Sequence, residues 1–222
     1  VNDYTISCSN NTDVTNSATY TITGKGNFKG SRTGTFKISQ ADISACTVAF
    51  VDGPNPSYQY NGQPRTPEVS VKLGTVPMTG NFEVTYSNNI AKGTASATVT
   101  PKNNLKGDAV ILSFTITSKS LHDNSIVVTI DNNPVDFVRT EGDNKIFFCS
   151  GYAPTYTGGS VAPKKVEVKD GDVTLVRGTS EGCSYTTTFN NRVNVSDYAT
   201  HNQANTLSQA ANVVIKGQNN YA

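Results

Sequence analysis

The amino-acid sequence predicts an all-β protein built from repeated sandwich modules, and three observations support this fold class. A block of the chain returns 77 or 78 positions later. Short runs alternate apolar and polar side chains at every second position, and Asn, Gly and Pro separate these runs. A fixed repeat period is typical of stacked structural units. Alternation at every second position is typical of half-buried strands, and Asn, Gly and Pro are typical of turns.

The repeat divides the chain into modules. In the first half, Ser9–Asn11, Ile22–Gly30 and Phe36–Ile38 return as Ser87–Asn89, Val99–Gly107 and Phe114–Ile116. A longer third copy matches Tyr60, Pro67 and Ala95–Leu105 with Tyr156, Pro163 and Ala211–Tyr221. Its growing offset indicates insertions, which generally map to loops or added strands. We therefore predict an incomplete module at 1–39, a complete one at 40–117 and an elaborated one at 118–222.

Alternation predicts the strands of these modules in chain order. The apolar sets are Tyr4, Ile6 and Cys8, then Ala18, Tyr20 and Ile22, then Phe36 and Ile38 in the first module; Phe82, Val84 and Tyr86, then Ala95, Ala97 and Val99, then Phe114 and Ile116 in the second; and Ala211, Val213 and Ile215 in the third. Within the third module, the sequence predicts an added hairpin at 126–138, a further strand at 146–148 and one short helical turn at 202–211.

Composition limits the functional classes. The chain has 222 residues, a formal net charge of +1 and 36% hydrophobic residues. Near-neutral charge gives no electrostatic reason to expect nucleic acid or an anionic membrane as a partner. No run approaches the ~18 apolar residues of a membrane-spanning helix, so we predict no membrane span. The low hydrophobic fraction suits thin, two-layered β modules with polar outer faces.

The order of turns and strands in the second module resembles bacterial immunoglobulin-like repeats, which occur in tandem in large cell-surface proteins. The resemblance depends on Tyr60–Pro64 with Pro67, a Val69/Val71 strand, Phe82–Asn89 and Gly93–Ala95. It covers most of 1–117 and, more loosely, 150–222.

This resemblance implies tandem immunoglobulin-like β-sandwich modules arranged as a rod. It implies an extracellular or cell-surface location and a non-catalytic structural or adhesive role, as a stalk, spacer or filament subunit. Similar repeats serve as virion decorations or fibres and as carbohydrate-binding appendages of secreted enzymes, so both alternatives stay open. Expected partners are neighbouring repeats of the same or another chain, and a glycan or a host surface protein.

The four cysteines allow three pairings. Proximity and strand parity favour disulfides between Cys149 and Cys183 and between Cys8 and Cys46, which would indicate an oxidising, extracellular setting. Four free thiols are the alternative.

No residue set predicts catalysis, a cofactor or a metal site. The two histidines, His122 and His201, are isolated in polar segments, far in sequence from any nucleophile motif. Four acidic residues cluster in the third module, but their spacing fits a solvated acidic rim better than a calcium loop: Asp131, Asp136, Glu141 and Asp143.

Tyrosines near the Pro-containing turns are candidates for stacking on sugar rings. They are Tyr58 and Tyr60 in the second module and Tyr152 and Tyr156 in the third. Tyr60 and Tyr156 occupy matched positions, and their repetition favours core or interface packing over ligand binding.

The outer modules are predicted to be incomplete. The first lacks opening strands and the third lacks the closing Phe-x-Ile strand, so each predicts an open sheet edge. Two explanations stay open: the chain is an excerpt of a longer polypeptide, or subunits complete one another by strand addition to form a filament.

Overall fold

The computed structural model describes residues 3–141, 144–149, 155, 157, 159–190 and 212–222. Tyr152, Tyr156, Asp143, His201 and the helical turn predicted at 202–211 lie outside these residues. The described chain divides into two compact units, one of residues 1–58 with 63–116 and one of residues 59–62 with 117–222.

The described chain is nearly all β, which confirms the all-β part of the predicted fold class. Strands β1 to β12 are Tyr4–Ser9, Thr15–Gly24, Ser31–Ile38, Ala41–Asp42, Thr47–Phe50, Ser57–Gln59, Val69–Leu73, Val76–Pro77, Phe82–Ser87, Gly93–Pro101, Leu105–Lys106 and Val110–Thr117. Strands β13 to β20 are Ile126–Ile130, Asn133–Pro134, Asp136–Glu141, Asn144–Phe148, Val166–Asp170, Val173–Thr174, Tyr185–Asn190 and Asn212–Gly217. One 3-10 turn, Ile43–Ala45, follows β4.

The first unit contains two three-stranded antiparallel sheets, one four-stranded sheet and one short parallel pair. Their strand orders are β1-β2-β3, β6-β12-β10-β9, β5-β7-β8 and the pair β11-β4. Phe50 of β5 and Phe114 of β12 are both buried, and their rings meet edge to face at 5.7 Å. The two sheets of the second module therefore share one core, which also contains Val69, Val71 and Val99.

The repeat predicted from the sequence is present as a repeated hairpin. In the first module Tyr4 pairs with Gly24 and Ser9 with Thr19. At matched positions, Phe82 pairs with Pro101 and Ser87 with Ser96 in the second module, and Tyr185 pairs with Gly217 and Asn190 with Asn212 in the third. The register is thus the same in all three hairpins.

Matched turns follow these hairpins. Gly26, Asn103 and Asn219 occupy the same repeat position, and all three have positive φ, at 64°, 54° and 55°. Asn and Gly are the residues that most readily adopt this left-handed conformation. The exchange of Gly26 for Asn103 therefore preserves the backbone shape.

The second unit is built around a four-stranded sheet of order β14-β13-β17-β18, with the hairpins β15-β16 and β19-β20. Its core cluster consists of Val168, Leu175, Tyr185 and Tyr221. The hairpin predicted at 126–138 is only partly correct. Strand β13 turns into the short β14 but pairs mainly with β17, whereas β15 pairs with β16.

A search of the described residues for a helix with the length and apolar character of a membrane span finds none.

Candidate functional site

The first sheet presents an apolar face to solvent. Cross-strand pairing places Tyr4, Ile6 and Cys8 of β1 on the same face as Tyr20 and Ile22 of β2 and Phe36 of β3. Five of these residues are exposed large hydrophobics: Tyr4 (56% exposed), Ile6 (58%), Tyr20 (38%), Ile22 (37%) and Phe36 (38%). We call these six residues the open face. Contiguous exposed apolar side chains usually mark an interaction site.

At the matched positions of the second module, Ala97, Val99 and Phe114 are buried and Phe82, Val84 and Tyr86 are partly buried. Ile22 corresponds to Val99 and Phe36 to Phe114, whose exposures are 0% and 1%. The Phe114 ring makes edge contacts with Phe50, Tyr58 and Tyr86 at 5.7, 5.9 and 6.4 Å. The strands that carry these positions have the same register in both modules. The open face and the matched face of the second module therefore differ in whether other residues cover them.

A turn residue shows the same contrast. Phe28, Leu105 and Tyr221 occupy one repeat position, and each N–H donates to the carbonyl three residues earlier. Leu105 is 1% exposed and pairs with Ala41, and Tyr221 is 6% exposed and forms a parallel bridge with Lys119. Phe28 is 62% exposed. Leu105 and Tyr221 thus each lie beside a parallel strand.

Side-chain hydrogen bonds join the first sheet to the second module. The Asn104 Oδ1 atom accepts from the Val14 N–H at 2.9 Å, and its Nδ2 atom donates to Asp13 Oδ1 at 2.7 Å. The Asn104 carbonyl accepts from the Ala41 N–H, also at 2.9 Å. One residue of the second module therefore bonds both the loop between β1 and β2 and the strand that enters its own module.

Tyr58 and Tyr60, the described members of the predicted sugar-stacking set, are both partly buried and pack against other aromatic rings. The Tyr58 ring contacts Phe114 in the first unit, and its hydroxyl donates to Asp52 Oδ2 at 2.6 Å. Burial, together with the hydrogen bond and charge of Asp52, raises the pKa of Tyr58 to about 12. Tyr60 packs edge to face on Tyr221, at 5.5 Å, against the core cluster of the second unit. The two tyrosines therefore lie in different units.

All four cysteines are free thiols, so neither predicted disulfide is formed in the structure. Cys149 is buried and lies 3.8 Å from the Asn133 carbonyl oxygen. Burial, followed by the charge of Asp42, raises the pKa of the Cys46 thiol. Cys8 is exposed on the open face, where its thiol can report on whether that face is covered.

Among the acidic residues predicted to form a rim in the third module, Asp131 has a structural role. Asp131 accepts from the Lys164 and Lys165 N–H groups, which ties two loops together. Within the described part of the chain, no group of three or more His, Cys, Asp and Glu residues is placed to hold a metal ion.

A hydrogen-bonded ion pair closes the second unit. Lys119 Nζ and Ser125 Oγ each donate to Asp170 Oδ1 at 2.7 Å, and the Tyr221 hydroxyl donates to Oδ2 at 3.2 Å. The Lys119 and Asp170 side chains are only 13% and 14% exposed. Burial acts to raise the pKa of Asp170, but the hydrogen bonds from Lys119 and Ser125 outweigh it and the pKa is lowered.

No protein-family model, curated protein or solved structure matches this chain. Its function has to be inferred from its own geometry.

Proposed function

We propose that this chain is a non-catalytic array of immunoglobulin-like β-sandwich modules, with an extracellular structural or adhesive role as a surface stalk, spacer or filament subunit. The observation that carries the proposal is the hairpin of constant register at β1-β2, β9-β10 and β19-β20. Reuse of one small unit along a chain is the building plan of modular and repeat proteins.

The titratable groups with shifted pKa values support a structural role. Asp42 accepts hydrogen bonds from the Ser44 side chain and N–H, which lower its pKa and cap the 3-10 turn. Asp170 joins the ends of the second unit, and Tyr58 joins a loop to a sheet. Functional sites generally concentrate perturbed groups in one cleft, whereas Asp42, Tyr58 and Asp170 each stabilise a different element.

The short connection between the first two modules favours an extended arrangement. Only Ser39 and Gln40 separate β3 from β4. The Gln40 Nε2 group donates to the carbonyls of Asn103 and Leu105. A connection this short and this well bonded limits the swing between neighbouring modules, as a rod requires.

Small-angle X-ray scattering of the full chain tests the array. A single compact domain of this length has a radius of gyration of about 17 Å, and modules placed end to end predict a value above about 25 Å. A measured value near that of a compact domain would contradict the rod. The location of a tagged copy of the chain tests the proposed setting. Detection on the outside of the cell would support it, and retention in the cytoplasm would oppose it.

The carbohydrate-binding alternative gains no support from the tyrosines that the structure describes, because the Tyr58 and Tyr60 rings are engaged with Phe114 and Tyr221. Glycan-array binding that disappears in Tyr156→Ala would favour this alternative over the proposed role.

A further inference from the structure

The open face has the shape of one half of a module. In the second module the same three strands, β9, β10 and β12, are covered by residues 40–78, which we call the opening half. It supplies the β5-β7-β8 sheet and the strand β4, and it places Phe50 and Tyr58 on Phe114. The residues that correspond to Val99, Leu105 and Phe114 lack this cover in the first module.

We propose that the open face is the docking surface for a second opening half, a polypeptide segment with the chemistry of residues 40–78 that joins the sheet in the same chain order. This inference deepens the proposed function, because it names the partner of one module in the array.

Two contacts in the other modules specify this partner. The strand that covers Leu105 runs parallel to it through Ala41, and the strand that reaches Tyr221 is parallel through Lys119. Ala41 and Lys119 are again 78 positions apart. In both modules, the strand that runs parallel to the buried turn residue therefore precedes the hairpin of the same module, β9-β10 or β19-β20, in the chain. The same order assigns a third such strand to Phe28, whose side chain is exposed.

The side chains of the opening half match the open face in kind. Val69 and Val71 alternate along β7 and are buried, and Phe50 lies across from Val69 in β5. Alternating Val and Phe side chains are the natural complement of the exposed Ile and aromatic side chains on the three-stranded sheet. The partner is thus a β-sheet with an apolar inner face, rather than a single amphipathic helix or a charged surface.

The test extends the full chain with its own sequence. A duplicate of residues 40–78, with Cys46→Ser in the duplicate only, is fused directly ahead of residue 1, which restores the 78-residue spacing. The readout is the rate at which a thiol reagent labels Cys8, measured on the Cys8 peptide by mass spectrometry. We expect labelling at least about tenfold slower than in the unextended chain, because a covered face reacts only through local opening.

The matched control carries Val69→Asp and Val71→Asp in the duplicate alone, and it should leave Cys8 as reactive as in the unextended chain. Equal labelling with and without the intact duplicate would overturn the proposal. Cys8 protection in the unextended chain that rises with protein concentration, together with a dimer mass, would also overturn it, since the occupant is then a second copy. The radius of gyration tests the array independently, so the two failures are distinguishable.

Discussion

The sharpest stability prediction compares Phe114→Ala with Phe36→Ala. The two phenylalanines occupy the same repeat position and the same place in a strand pair, opposite Ala95 and Ala18 respectively. They differ in burial, because Phe114 is 1% exposed and Phe36 is 38% exposed. The side chain and its cross-strand partner are thus held constant while the covering sheet is varied, although the strand register shifts between Thr15 and Ala18 in the first module.

The expected costs follow from that difference. Removing a buried phenylalanine costs about 3–5 kcal/mol. Because Phe114 makes three aromatic contacts, we expect a cost of about 4 kcal/mol at this site. Truncating Phe36 leaves no closed cavity, so only part of the ~1.5–3 kcal/mol of full burial is lost, and we expect about 1 kcal/mol. A module of this size has about 4–12 kcal/mol of stability in total.

Native-state hydrogen exchange measures each cost locally. Amides of β10 should exchange about 1,000-fold faster in Phe114→Ala, and amides of β2 about fivefold to tenfold faster in Phe36→Ala, since about 1.4 kcal/mol corresponds to a factor of ten. Similar acceleration at both sites would refute the assignment of a covered and an uncovered face.

Three further substitutions test individual contacts. Asp170→Asn should lower the free energy of unfolding by about 2 kcal/mol at neutral pH, because it weakens the bonds from Lys119. The pKa of Asp170 is lowered on folding, so this loss should persist above the unfolded pKa of about 4 and shrink as acid protonates the carboxyl. Denaturant titrations at several pH values will show this dependence. Asn103→Val should cost about 1–2 kcal/mol, because a β-branched residue resists the φ of 54°, and Asn103→Gly should cost less in the same thermal melts. Asn104→Ala should raise exchange at the Val14 amide several-fold, because it removes the acceptor of that N–H.

The sequence was most informative where repetition and parity coincide. The alternation at Tyr4, Ile6 and Cys8 correctly predicted one face of β1, and the offset between Phe36 and Phe114 correctly predicted equivalent strands. Both signals are local to a strand, and side-chain parity follows directly from the backbone pleat. An all-β chain was therefore predictable without any contact information.

Long-range pairing was not predictable in the same way. The hairpin predicted at 126–138 was only partly correct because β13 pairs with β17, some 40 residues further along the chain, and no local pattern encodes that choice. The sequence also predicted open edges in the first module, where β1 and β3 each pair only with β2 among the described strands, but it did not predict the exposed apolar face.

The central claim is that one hairpin register is used three times, and disulfide trapping tests it most directly. Ser7 with Thr21, Thr85 with Thr98 and Thr188 with Val214 are directly paired at the same repeat position. Each pair is replaced by two cysteines in a separate variant, and the cross-linked peptides are mapped by mass spectrometry after mild oxidation. Directly opposed strand residues lie ~4.5–5.5 Å apart, within the reach of a disulfide. All three variants should form their designed bond, and Thr85→Cys with Thr100→Cys, two residues out of register, should not. Failure of the bond in any one module, or efficient bonding in the shifted pair, would contradict the repeated register.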